Sequence, residues 1–241
     1  MIRHVSLDMD GTLINSKFVD KVWMEGVPIL YAERHSMALG PAKEAVVGEY
    51  MKVGSDKLEW YDLKHWLDKF DLDVTKEGLL EMYVDEIEAY PEVRDALEGL
   101  SERFNLVVTS NASRDFLDLE LEEIGQYFSD VFSATSDFKQ TKKSPQVYRE
   151  VCRRLEAKPL EVLHIGDHYS YDYEAALDAG LDALFLDRKG IKTGSGVVGD
   201  LREATTVLCC SSSSYPLDSE CSYHPGSECS CRPGIDDSDS S

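Results

Sequence analysis

Cysteine is nearly missing from the body of this chain. Of six cysteines in 241 residues, Cys152 alone precedes residue 209, so the body has no second thiol to pair with, and the crowding of the other five marks a boundary. Basic charge is also scarce. Lys and Arg number 25 against 46 Asp and Glu, a net charge of −21. A field of that sign repels nucleic acid and disfavours anionic membrane surfaces, while leaving room for a small phosphorylated ligand in a locally positive cleft. No apolar run approaches the roughly 20 residues that span a bilayer. The first residues, Met1 to Ser6, lack the apolar core of a signal peptide. The expectation is a cytoplasmic protein with neither membrane nor nucleic-acid partner. The 42% hydrophobic and 29% charged content is ordinary for a globular chain, and the length suits one large domain or two small ones. No internal repeat is visible, and nothing in the composition sets an oligomeric state.

What is present is a rhythm of short apolar runs, at 2–7, 104–109, 131–134, 162–165 and 183–186. Helical patterns over 92–102, 113–124, 145–155 and 170–179 separate the later ones. Strands alternating with helices predict βαβ units, hence an α/β fold with a mostly parallel, Rossmann-like sheet whose ligands lie at the carboxyl ends of the strands. Between the first two runs lies a stretch that reads as helix after helix: 19–37, 41–53, 57–70 and 75–90. It is expected to form an α-helical cap over residues 15–90, inserted into a core of 1–14 and 91–208. From Cys209 to Ser241 the chain turns to Ser, Cys, Asp, Pro and Gly without periodicity, which predicts a disordered tail. Its Cys and His224 match no paired Cys-x-x-Cys zinc spacing.

Polar clusters follow the strands. Asp8-Met9-Asp10-Gly11-Thr12 directly succeeds the first. Residues i and i+2 of an extended segment face the same way, so Asp8 can attack phosphorus while Asp10, after the turn at Gly11, handles the leaving-group proton. The paired carboxylates also suit a magnesium ion. The second strand leads into Thr109-Ser110-Asn111-Ala112-Ser113, where Ser113 reads as a helix N-cap and the remainder can hold phosphoryl oxygens. Thr141-Lys142-Lys143-Ser144-Pro145 opens another helix with two cations at its N-terminus, an unfavourable placement that a phosphate would explain. Gly166-Asp167 ends the fourth strand, and Asp172 follows five residues later.

In this order the motifs resemble those of the haloacid dehalogenase-like hydrolase superfamily, and they span residues 1 to about 190. The helical insertion looks like the cap of its phosphoglycolate phosphatase-like and β-phosphoglucomutase-like members. The resemblance implies a magnesium-dependent phosphatase acting on a small phosphorylated metabolite. Asp8 would be the nucleophile, and Asp10 the general acid and base that also gives its backbone carbonyl to the metal. Ser110 and Asn111 would bind the phosphoryl group; Lys142 would neutralise it, with Lys143 an alternative. Asp167 would ligate magnesium, and Asp172 would support the lysine or the metal waters. The family's dehalogenases lack an acid at the position of Asp10, which favours phosphate esters. A phosphomutase keeps the same residues, and a non-catalytic binding module is the alternative of another class. In the cap, Lys17, Lys21, Arg34, His35 and Lys43 read as solvated faces, and Trp23, Trp60 and Trp66 as bundle core.

Overall fold

The computed structural model describes residues 1–211. A parallel sheet of six strands organises it, built from β1 (His4–Leu7), β2 (Asn105–Ser110), β3 (Phe128–Ser133), β4 (Val162–Gly166), β5 (Asp182–Leu186) and β6 (Val197–Val198). Their order across the sheet is β3-β2-β1-β4-β5-β6, with every neighbouring pair parallel. The chain steps outward from β1 through β2 to β3, then returns to β4 on the other side of β1. The switch point between β1 and β4 opens a crevice at the strands' carboxyl ends, where such sheets bind ligands. Asp8 follows β1 there and Asp167 follows β4.

β1 and β4 are buried along their whole length, as central strands of a sheet covered on both faces should be. Their apolar residues Val5, Leu7, Leu163 and Ile165 join α6 (Val93–Ser101) and α11 (Leu201–Ser211) in the main core. A second cluster collects the insertion, whose helices are α1 (Lys17–Lys21), α2 (Val27–Arg34), α3 (Leu39–Val53), α4 (Leu63–Lys69) and α5 (Lys76–Glu81). Between α1 and α2 the backbone widens into a π-helical stretch, Val22–Gly26, so the continuous helix expected over 19–37 is one rod of mixed pitch. The insertion leaves and re-enters along paired extended segments. Ile14 bridges Ala89, Asn15 N–H donates to the Glu88 carbonyl (3.0 Å), and Tyr90 N–H donates to the Leu13 carbonyl (3.1 Å). The expected helix over 75–90 therefore gives way to extended chain near its end.

The remaining helices are α7 (Arg114–Glu120), α8 (Ala134–Phe138), α9 (Pro145–Arg154) and α10 (Ala175–Ala179). Ser144 caps α9 by accepting from Val147 N–H, with Pro145 as the first helical residue. Three elements went unread in the sequence: α8, β6 and α11. α11 continues to Ser211, three residues into the segment expected as tail; residues 212–241 of that expectation lie outside the described residues. Among the described residues no helix is long and apolar enough to cross a membrane.

Candidate active site

Asp8 leaves β1 with its backbone N–H still donating to the Ile165 carbonyl (3.0 Å), so the sheet itself fixes the start of the loop. The chain then winds into a tight turn, with Leu13 and Ile14 N–H both donating to the Met9 carbonyl. Gly11 makes this possible. Its φ is +79°, and a Cβ there would overlap the Asp167 carboxylate. Gly166 is needed for a parallel reason, because a Cβ would run into Asp172. Both glycines thus let one acid approach another element closely.

The cluster's centre is Lys143, whose side chain is 1% exposed. Its Nζ lies 2.6 Å from Asp8 Oδ1 and also pairs with Asp172 Oδ1. Lys142, expected in this place, points the other way, to Asp56 of the insertion (2.9 Å) and toward the Tyr171 ring. Successive residues of the extended segment before α9 face opposite sides, so only one lysine of the pair can enter the site. Lys143 is the one held inward, its backbone N–H donating to Asn111 Oδ1 (2.6 Å). The buried ammonium at a helix N-terminus is balanced by two carboxylates.

Asp172 sits on a π-helical segment, Tyr169–Glu174, and is fully buried. Its Oδ2 accepts from His168 N–H (2.7 Å), and its Oδ1 lies 3.3 Å from His164 Nε2. His164 Nδ1 meets Ser6 Oγ (2.9 Å), which donates to Thr109 Oγ1 (2.8 Å). A polar chain therefore crosses β2, β1 and β4 beneath the site. The sequence reading missed it, although a His amid Val162, Leu163 and Ile165 was its signal.

The same burial sets the protonation of the acids. It raises Asp8, with Lys143 opposing. Burial acts upward on Asp172 too, but Lys143 and His164 outweigh it and hold that carboxyl below the usual range. Asp10 is pushed up to about 7 by burial and then by Asp8. Asp167 stands exposed at the rim. Loss of hydration where it faces the site, followed by Asp8 and Asp172, brings its carboxyl to about 7. Lys143 stays raised because Asp172 and Asp8 more than offset its burial.

Asp8, Asp167 and Asp172 each bring an oxygen within 4.8 Å of the others. Hard oxygen donors of this kind match magnesium. Asp172 already answers to Lys143, His164 and a backbone N–H, which leaves Asp8 and Asp167 as the open pair. Asp10 Oδ1 is buried and makes no hydrogen bond, with the Glu120 carboxyl close to the Asp10 side chain.

Ser110 ends β2 and is 2% exposed, with its Oγ accepting from Ala112 N–H (3.2 Å). Ser133 Oγ donates to the Ala112 carbonyl (2.7 Å) and Thr135 Oγ1 to that of Asn111 (3.1 Å), fixing this loop from β3 and α8. Ser113 occupies the N-cap position of α7, yet its Oγ makes no capping bond and is buried without a partner. Two further groups escaped the sequence reading. Arg188, after β5, donates to the carbonyls of Gly11 (3.1 Å) and Thr12 (2.6 Å) and pairs with Glu92 (2.6 Å). Glu120 of α7 is 1% exposed, and burial together with Asp10 lifts its carboxyl well above the ordinary range.

The chain belongs to the haloacid dehalogenase-like hydrolases, whose family model matches residues 2–180. The GMP/IMP nucleotidase of Escherichia coli (strain K12) is 27% identical over 180 residues, covering 73% of this chain and 76% of that one. The haloacid dehalogenase-like phosphatase of Thermococcus onnurineus superposes with a TM-score of 0.75 at 24% identity, over 86% of this chain and 98% of its own. The 2-haloacid dehalogenase of Pseudomonas syringae pv. Tomato gives 0.57 at 22% identity, over 87% and 99%. These structural likenesses establish the shared α/β fold.

Proposed function

We propose that this hydrolase is a magnesium-dependent phosphomonoesterase of a small phosphorylated metabolite, working through an aspartyl-phosphate on Asp8. The observation that carries the reading is Lys143 held between Asp8 and Asp172, with Asp10, two residues after Asp8, offering an acid near neutrality. Asp8 Oδ attacks phosphorus, and the ester oxygen departs with the proton of Asp10. Asp10, now ionised, takes a proton from the water that attacks the aspartyl-phosphate. Free phosphate leaves and Asp8 is restored.

Lys143 offsets the charge gathering on Asp8 and the phosphoryl oxygens, while Asp172 and the His164 chain keep its ammonium in place. Ser110 and Asn111, at the end of β2, are the phosphoryl-binding groups. Magnesium, held by Asp8, Asp167 and the Asp10 carbonyl, would supply the positive charge that such transfers need and keep its carboxylates ionised. An acid at Asp10 favours ester hydrolysis over dehalogenation, since a halide leaves without a proton. The likeness to the E. coli GMP/IMP nucleotidase supports the same chemistry.

Phosphate release from a panel of phosphate esters, with and without magnesium, is the direct test. Magnesium-dependent release is expected. An isomerised sugar phosphate without free phosphate would instead identify a phosphomutase, and tight binding without any turnover a regulatory module.

A further inference from the structure

Of the three cap tryptophans, only Trp66 is wholly buried. Trp23 and Trp60 are partly covered, and both line a cleft of about 280 Å³ that has Asp10 in its wall. Tyr50, Tyr61 and Phe116 complete its aromatic lining. These rings hold one another in place: Trp23 lies 5.9 Å from Phe116 and nearly parallel to it (20°), and meets Tyr50 edge-on at 5.8 Å. Trp23, Trp60 and Tyr61 stay partly exposed in front of the buried Tyr50 and Phe116, and aromatic faces so placed beside a reacting group form a surface for a flat partner.

The polar content of the cleft narrows the partner further. Its lining residues include no Lys or Arg, and Asp20 adds a carboxylate. A leaving group bearing its own carboxylate or second phosphate would meet repulsion there. Ser113 Oγ, buried without a partner, offers a hydrogen bond to a neutral group instead.

We propose that this cleft takes the leaving group of the substrate and that this group carries a neutral, flat heteroaromatic ring, making the substrate class a nucleoside 5′-monophosphate. The proposal rests on the phosphatase reading for its orientation, with the ester at Asp10 and the ring between the cap aromatics.

Binding and turnover are measured separately. The full-length Asp8→Asn protein, with magnesium present, is titrated with purine nucleoside 5′-monophosphates, ribose 5-phosphate and 2-phosphoglycolate. Stacking on aromatic side chains predicts that the nucleotides bind at least about tenfold more tightly than ribose 5-phosphate. Adding Trp60→Ala narrows that ratio to within about threefold, whereas Trp60→Phe, which keeps a ring and guards against a folding defect, preserves most of it. Equal affinity for ribose 5-phosphate, tighter binding of 2-phosphoglycolate, or a ratio indifferent to Trp60→Ala overturns the proposal. Turnover by the wild-type chain tells the two readings apart. Nucleotide preference without phosphate release sustains the cleft and refutes the phosphatase; phosphate release without ring preference does the reverse.

Discussion

Lys142 and Lys143 are chemically identical neighbours, yet one is buried between two carboxylates and the other pairs with an exposed aspartate. Lys143→Ala should lower kcat by about a hundredfold or more, as loss of a preorganised charge does. Lys142→Ala removes a solvent-screened pair and should leave kcat/KM within about threefold of wild type in the same steady-state assay. The sequence made the lysine pair conspicuous but could not choose between them, because the choice depends on which way the chain faces when it leaves the loop. His164 carries a second prediction. Burial holds its pKa below the ordinary value, so it stays neutral in the fold. As pH falls through about 6.5 the unfolded chain takes up a proton at this residue that the folded one refuses, so the His164 contribution to stability falls, while the raised carboxyls of Asp10 and Asp167 contribute in the opposite sense. In thermal melts from pH 7.5 to 5.5 the wild type should lose stability relative to His164→Gln as the pH falls; parallel curves for the two proteins would refute it.

The strands were the most legible elements, since buried parallel strands read as uninterrupted apolar runs, as at Val162 to Ile165. The two residues of β6 and the five of α8 are too short to show a period. Acids of the candidate site were visible where a carboxylate directly followed such a run, as with Asp8 and Asp167. Arg188 was invisible because its partners are backbone carbonyls and a glutamate nearly a hundred residues away. Its guanidinium also lies over Tyr90 (3.6 Å), joining the end of β5 to the Asp10 turn and to the stalk of the insertion. Lysine cannot span two carbonyls and a carboxylate in one plane. Arg188→Lys should therefore lower kcat by about tenfold while changing KM little, because misplacing the turn disturbs orientation more than binding. A change confined to KM would show that Arg188 does not position the turn.

At the level of the molecule, the two largest of four hydrophobic clusters among the described residues stand side by side, one on the sheet and one in the inserted helices. Phe116 of α7 belongs to the second although its helix follows β2, so the insertion packs directly on the element that opens beside Asn111. We propose the division into a core of 1–14 and 91–208 and a cap of 15–90 on this basis. Around both lies the net charge of −21. Its long-range field opposes an approaching phosphate dianion, so kcat/KM should rise as ionic strength increases from about 10 to 150 mM at fixed magnesium. A steep fall would mean that a local positive field steers the substrate instead. The central claim, a phosphoryl group carried by Asp8, is open to one direct measurement. Full-length protein turning over its substrate is quenched in acid, digested and mapped by mass spectrometry. The account predicts the mass of one phosphoryl group on the peptide containing Asp8, absent in Asp8→Asn along with turnover; continued phosphate release by Asp8→Asn would contradict it.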